Sequence, residues 1–297
     1  MHVQDIWPYD AIQDIAYVHH GTNGQLLYVV NLSLCGPLRY FAPSRGSVYA
    51  GPDAMFRGIG LPRMRRINVQ LLVGGVKGGT GKSTLVVNLG IERARRGKKI
   101  ILVDADPDQE SLSDYIANRD EHGALPSVPV VQAKGSTTAR SLRALAQDFD
   151  DVIVDCGGFD SIELRQAALI THAWIVPLNP SQMQIWTMPK LKSVLEEANA
   201  MRGDAQLTGW LLGMRISTNP YSSAKDDLQA VAEAFGGFTV LRTIIHQRVA
   251  FEKAEKLGLA VTELEKPNTS ERRARDSIRA LHEEIFELND GNGEEHA

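Results

Sequence analysis

The residues best equipped for chemistry cluster in Gly74-Gly75-Val76-Lys77-Gly78-Gly79-Thr80-Gly81-Lys82-Ser83-Thr84. Glycines let consecutive backbone N–H groups curl around an anion with no Cβ in the way. A lysine beside them can meet the β and γ phosphates, and a serine hydroxyl can ligate Mg²⁺. A strict G-x-x-x-x-G-K-[ST] pattern fails, because Val76 stands where the first glycine belongs. The context supplies what the pattern lacks. An apolar run over 67–73 precedes the glycines and a helical pattern over 83–96 follows them. A helix opening there turns its positive end toward a bound phosphate. The expectation is a phosphate loop in which Gly78, Gly79, Thr80, Gly81, Lys82, Ser83 and Thr84 hold a nucleotide.

Two further apolar runs end in carboxylates. Asp155 closes 152–154 and is followed by Gly157 and Gly158; Asp104-Ala105-Asp106-Pro107 closes 99–103. Open α/β sheets bind ligands at the carboxyl ends of their strands, so both should lie beside the loop. Asp155 is expected to hold Mg²⁺ through its water shell. Asp104 or Asp106 could orient a water or support the metal's ligands; an Asp-x-Asp at a strand end also serves as a helix cap. No Asn/Thr-Lys-x-Asp guanine reader follows a strand, which favours ATP over GTP. Arg215, with the turn Ser217-Thr218-Asn219-Pro220, reads equally as a wall for the base or as an ordinary surface turn.

The elements that position these residues alternate. Strands are expected over 67–73, 99–103, 128–131, 152–154, 173–176, 207–216 and 238–245, the fifth stopped by Pro177 and Pro180. Helices are expected over 83–96, 139–149, 188–201, 226–235 and 270–288. In the last, Asn268 and Glu271 stand at capping-box spacing, and Ala274, Ile278, Leu281 and Ile285 form an apolar stripe. Buried strands alternating with helices predict an α/β, doubly wound, mostly parallel sheet with helices on both faces. That domain would span 67–288, followed by an acidic flexible tail over 289–297. Residues 1–66 read as an irregular extension, disordered or translated from an upstream start, with Met64 a natural start. Residues 1–67 hold no lysine and no glutamate, recur in Gly and Pro, and offer one candidate strand near 25–34.

The loop, the Asp104-Ala105-Asp106-Pro107 turn and Val152-Ile153-Val154-Asp155 together resemble the ParA/MinD family of P-loop ATPases. Ile175-Val176-Pro177-Leu178-Asn179-Pro180-Ser181 looks like that family's Pro-x-x-Pro-Ser stretch, and Thr243-Ile244-Ile245-His246-Gln247-Arg248 is similar to short plasmid-partition ParA proteins. The resemblance implies a P-loop NTPase fold and a cytoplasmic, nucleoid-associated ATPase using ATP and Mg²⁺. It assigns Lys77 to the partner's nucleotide across an ATP-sandwich homodimer, Asp106 to the attacking water and Asp104 to the metal's support. It further implies non-specific DNA binding and a ParB-like centromere-binding adaptor, and so partition of plasmid or chromosomal DNA. The family continues with glutamine after Asp-Pro, whereas Asp108 intervenes here before Gln109.

Basic residues that could meet DNA phosphates are Arg248, Lys253 and Lys256, then Arg272, Arg273, Arg275 and Arg279. Arg272, Arg275 and Arg279 fall at i, i+3 and i+7, although Glu271, Asp276, Glu283 and Glu284 are interspersed among them. The alternative of MinD-like positioning on a membrane needs a basic amphipathic C-terminus, and the end here is acidic and broken by glycine. Loss of hydrolysis would leave a nucleotide-dependent regulatory scaffold. An iron–sulfur relative would need cysteines meeting at an interface, and Cys156 reads instead as a small buried thiol. Composition agrees with a globular domain: 297 residues, 43% hydrophobic, net charge −4, two cysteines and no long apolar run. Secreted, membrane-spanning and disulfide-rich classes are set aside, as is a generically basic nucleic-acid coat.

Overall fold

The computed structural model of the chain describes residues 15–20, 26–30, 69–75, 79–106, 109–158, 161–180, 185–203, 205–219 and 223–291. Expectations for Val76, Lys77, Gly78, Pro107, Asp108, Ser181 and Pro220, and for the rest of the first 68 residues, lie outside these. The described residues fall into two compact units, one within Met1–Met64 and one within Arg65–Glu294. In the first, β1 (Ile15–His20) pairs antiparallel with β2 (Leu26–Val30), where the sequence offered one strand over 25–34.

The second unit alternates strand and helix. In chain order come β3 (Val69–Val73), α1 (Lys82–Arg95), β4 (Ile100–Asp104), α2 (Ser111–Glu121), β5 (Val130–Gln132), α3 (Thr138–Asp148) and β6 (Asp151–Asp155). There follow α4 (Ile162–Ala168), β7 (Ala173–Leu178), α5 (Met188–Arg202), β8 (Thr208–Ile216), α6 (Ala224–Phe235), β9 (Phe238–His246), α7 (Val249–Lys256) and α8 (Thr269–Gly291). The seven strands form one sheet in the order β5-β4-β6-β3-β7-β8-β9, and every pairing is parallel. Buried side chains of α1, α2, α7 and α8 pack on one face and those of α3, α4, α5 and α6 on the other. β4, β6 and β7 are buried along their whole lengths, which is why each reads as an unbroken apolar run.

Register places the site. Val73 stands opposite Asp155, and Asp155 opposite Asp104, so the ends of β3, β6 and β4 form one row. The ladder runs one residue further, through Cys156 N–H to Val73 O (2.9 Å) and Ala105 N–H to Asp155 O (2.8 Å).

Three helices lie where the sequence reading had none: α2, α4 and α7. Pro177 does not stop β7, which runs through to Leu178. The β3 pairing ends at Val73↔Ile175, so a residue lacking N–H can follow on that side with no ladder bond lost. α8 continues to Gly291, three residues past the expected end at Leu288. Its start is the expected capping box: Glu271 N–H donates to Asn268 Oδ1 (3.0 Å) and Asn268 N–H to Glu271 Oε2 (2.8 Å). No described helix is long and apolar enough to cross a membrane.

Candidate nucleotide site

The loop leaves the end of β3 under restraint from the core. Trp174, fully buried in β7, rests edge-on against Phe238 and donates its indole N–H to Gly74 O (3.2 Å). Gly74 N–H in turn donates to Ile175 O (3.1 Å). At the far side, Gly81 caps α1 with φ 87°, a left-handed conformation that a side chain would strain. A Cβ there would also meet Met214 Cε at 2.8 Å. Leu85 N–H donates to Gly81 O (2.9 Å), starting a helix with no acidic residue in its first turn. That end keeps the positive character an anion site needs.

Lys82 is buried at the first position of α1, and the Ser83 hydroxyl beside it hydrogen-bonds the Asp155 carboxylate. Asp155 is 2% exposed, and its Oδ1 has no partner among the described residues. Burial raises its pKa to about 7; the Ser83 bond and the Lys82 charge oppose the rise, and Asp104 and Asp106 add to it. A buried carboxylate oxygen with an open valence, facing a serine and beneath two more carboxylates, is a donor set that suits a hard divalent cation. Thr80 presents a second orphan, a buried hydroxyl without a partner among the described residues.

The two aspartates after β4 have different surroundings. Asp104 Oδ2 accepts from Ser113 N–H (3.0 Å) and Ser113 Oγ (2.7 Å), tying it to the first turn of α2, and Oδ1 accepts from Asp106 N–H (3.4 Å). It thus holds the first turn of α2 from β4, although the N-cap position of that helix is Glu110. Asp106 is half-buried and accepts from Gln109 N–H (3.2 Å). Its carboxylate lies directly over Gly157, where a Cβ would collide with it.

Arg215 belongs to the site. Its guanidinium donates to the carbonyl of Gly79, and a cavity of about 160 Å³ beside it is lined by Gly81, Thr84, Met214, Arg248 and Phe251 among others. The sequence offers Arg215 as a base wall or surface turn and Gly157 as a glycine after Asp155, but nothing local gives their contacts or those of Trp174, because each acts on a partner far along the chain.

The basic residues are partly committed. Lys253 pairs with Glu271 (2.7 Å), Arg275 with Asp276 (3.4 Å), and Arg279 leans toward Glu92 on α1 (3.9 Å). Arg272 is exposed and donates to Thr269 Oγ1 (3.3 Å), and Lys256 is exposed in the last turn of α7. The expected i, i+3, i+7 face is thus not uniform: Arg272 is open, whereas Arg275 and Arg279 are half-buried. Arg248 sits at the N-terminus of α7, where burial and the nearby Arg273 lower its pKa from the ordinary guanidinium value.

Among curated relatives, the chain is 27% identical over 217 residues to the maintenance of carboxysome distribution protein A of Halothiobacillus neapolitanus, covering 73% of this chain and 95% of that protein. It is 25% identical over 214 residues to the chromosome-partitioning ATPase Soj of Thermus thermophilus, covering 63% and 84%. Its fold is similar to that of Cyanothece McdA in a complex with ATP (TM-score 0.57, 13% identity, 74% of this chain and 97% of that one). It is likewise similar to MinD of Pyrococcus horikoshii complexed with Mg-ADP (TM-score 0.56, 17% identity, 74% and 97%). A sequence profile of the CobQ/CobB/MinD/ParA nucleotide binding domain matches residues 71–261, which take in β3, the loop, both aspartate-bearing strand ends and α7. With strand, loop and carboxylates in one row, the chain belongs to the CobQ/CobB/MinD/ParA nucleotide-binding domain family.

Proposed function

We propose that this chain is a Mg²⁺-dependent ATPase that pairs with a second copy on binding ATP, attaches to DNA without sequence preference and positions a cargo. The observation that carries the reading is the orphaned, buried Oδ1 of Asp155 in line with β3 and facing Ser83. Ser83 and Asp155 would hold the cation, which when bound supplies positive charge to the phosphates. Lys82 meets the β and γ phosphates at the positive end of α1, with the amides of Gly78, Gly79, Thr80, Gly81 and Thr84 around them. Asp106, held by the Gln109 amide over Gly157, orients the attacking water. Lys77 reaches the partner's nucleotide, which makes pairing depend on ATP. The cavity lined by Gly81, Thr84, Met214 and Arg248 takes the base.

Lys256, Arg272 and Arg273 are exposed and so best presented to DNA, with half-buried Arg248 beside them, and a symmetric pair doubles them. The relative Soj, a chromosome-partitioning ATPase by name, supports a DNA cargo, which a ParB-like adaptor would couple to this chain. The carboxysome-distribution relative, matched over 95% of its length, supports a second cargo class: a carboxysome-like body. Random-sequence duplex should be retarded with ATP, released with ADP and released steeply by salt. Lys77→Gln should bind nucleotide yet sediment as a single copy with ATP. Retardation indifferent to the nucleotide, or unchanged pairing of Lys77→Gln, would remove the switch.

A further inference from the structure

Arg215 has a combination of features that an ordinary strand-end arginine lacks. Its φ is 56°, a left-handed conformation that a residue with a long side chain rarely adopts. The conformation is built in. The β8–β9 register shifts between Met214 and Ile216, producing a bulge, and Asn179 Nδ2 donates to Arg215 O (3.1 Å) from beyond the end of β7. A bulge re-aims the side chain it carries. Here it sends the guanidinium onto the carbonyl of Gly79. The side chain also packs along the loop: Cβ atoms built on Gly79 and Gly81 would stand 3.5 Å from its Nη1 and 3.9 Å from its Cδ.

Peptide planarity gives this contact a consequence. In a trans peptide the carbonyl of one residue and the N–H of the next point in opposite directions. A donor that fixes the Gly79 carbonyl on the outside of the loop therefore fixes the Thr80 N–H on the inside. Thr80 is also the residue whose buried hydroxyl has no partner among the described residues. A charged donor suits the task, because the carbonyls on the back of an anion nest need partners of their own.

We propose that Arg215 is a positioning residue for nucleotide phosphates: it clamps the phosphate loop from behind through the Gly79 carbonyl and so presets the Thr80 amide toward the ligand. The inference rests on the nucleotide-binding reading above and adds a residue to it. Arg215 touches the loop rather than the reacting atoms.

The test uses the full chain with Mg²⁺, fluorescent mant-ADP as probe and pyrophosphate as competitor. Arg215→Met keeps the packing of the side chain but removes the donor; mant-ADP should bind about tenfold more weakly, the worth of one charged hydrogen bond. Pyrophosphate should lose affinity by a similar factor. Arg215→Lys, which restores a cationic donor, should recover most of the loss. Arg215→Gly separates the clamp from the backbone: it suits the left-handed conformation, yet it should bind as weakly as Arg215→Met. Melting temperatures should stay within about 2 °C of wild type, because the residue is exposed. Wild-type affinity in Arg215→Met or Arg215→Gly would overturn the clamp. So would a loss for mant-ADP with none for pyrophosphate, which would make Arg215 a wall for the base. A wild-type chain that binds neither probe would remove the nucleotide reading itself, and the clamp with it.

Discussion

At Gly157 a single hydrogen atom in place of a side chain leaves room for the Asp106 carboxylate. Gly157→Ala should fold and bind ATP, since the three atoms nearest the added methyl all belong to the Asp106 side chain. It should push Asp106 aside and lower the turnover number about 10- to 100-fold, the usual effect of displacing a positioned group by an ångström. Steady-state kinetics would show this as a fall in kcat at near-constant KM; unchanged kcat would remove Asp106 from the reaction. The two aspartates after β4 show what spacing conveys and what it omits. Asp-x-Asp at a strand end marked the right place, but only the Ser113 contacts separate Asp104, tied to the first turn of α2, from Asp106, the carboxylate over Gly157. The sequence passes over Trp174 and offers Arg215 only as a base wall or surface turn, because their partners, Gly74 and Gly79, lie 100 and 136 residues away.

Helices α1 and α8 meet through a charged and aromatic cluster with a pH dependence of its own. His282 is 2% exposed, tilts against Phe286, and has no partner for either ring nitrogen among the described residues. Arg93 lies over the same Phe286 ring and pairs with Asp151 (2.6 Å). Burial, with Arg96 and Arg93 adding to it, lowers the His282 pKa to about 3. The unfolded chain, with an ordinary value near 6.5, binds a proton that the folded chain refuses. The contribution is whole above pH 6.5 and falls away toward pH 3, by up to about 1.4 kcal/mol per unit. Urea midpoints should drop between pH 7 and pH 5, and His282→Leu should flatten that slope; equal slopes would place the acid sensitivity elsewhere.

The same helix secures the edge strand. β9 carries two extra residues opposite β8 between Leu211 and Gly213, and Glu284 accepts the Arg242 and Thr243 N–H groups there (2.6 and 2.9 Å). Glu284→Ala should cost about 2–3 kcal/mol, read by denaturant unfolding, because two strand donors lose a charged acceptor. A loss under about 0.5 kcal/mol would mean water replaces it. Elements hidden in the sequence lack a readable apolar period, for two reasons. The buried stripe of α2 is Leu112, Tyr115, Ile116 and Arg119, and the arginine, paired with Glu263 (2.7 Å), breaks the apolar period. α4 and α7, at seven and eight residues, are too short to display one.

Across the whole molecule, a parallel sheet collects the ends of β3, β4 and β6 in one row, and chemistry follows from that register. This much was legible, since buried parallel strands read as apolar runs and their carboxyl ends as glycine or aspartate. The distribution of basic side chains was less so, because the pairing of Lys253 with Glu271 and of Arg279 with Glu92 depends on packing. The central claim is that the loop and Asp155 together grip ATP with Mg²⁺. Titration calorimetry of a non-hydrolysable ATP analogue into the full chain tests it most directly. The account predicts one site per chain, lost when Mg²⁺ is chelated or Asp155 becomes Asn, and abolished in Lys82→Ala. Equal binding by wild type and Lys82→Ala, with or without Mg²⁺, would contradict it.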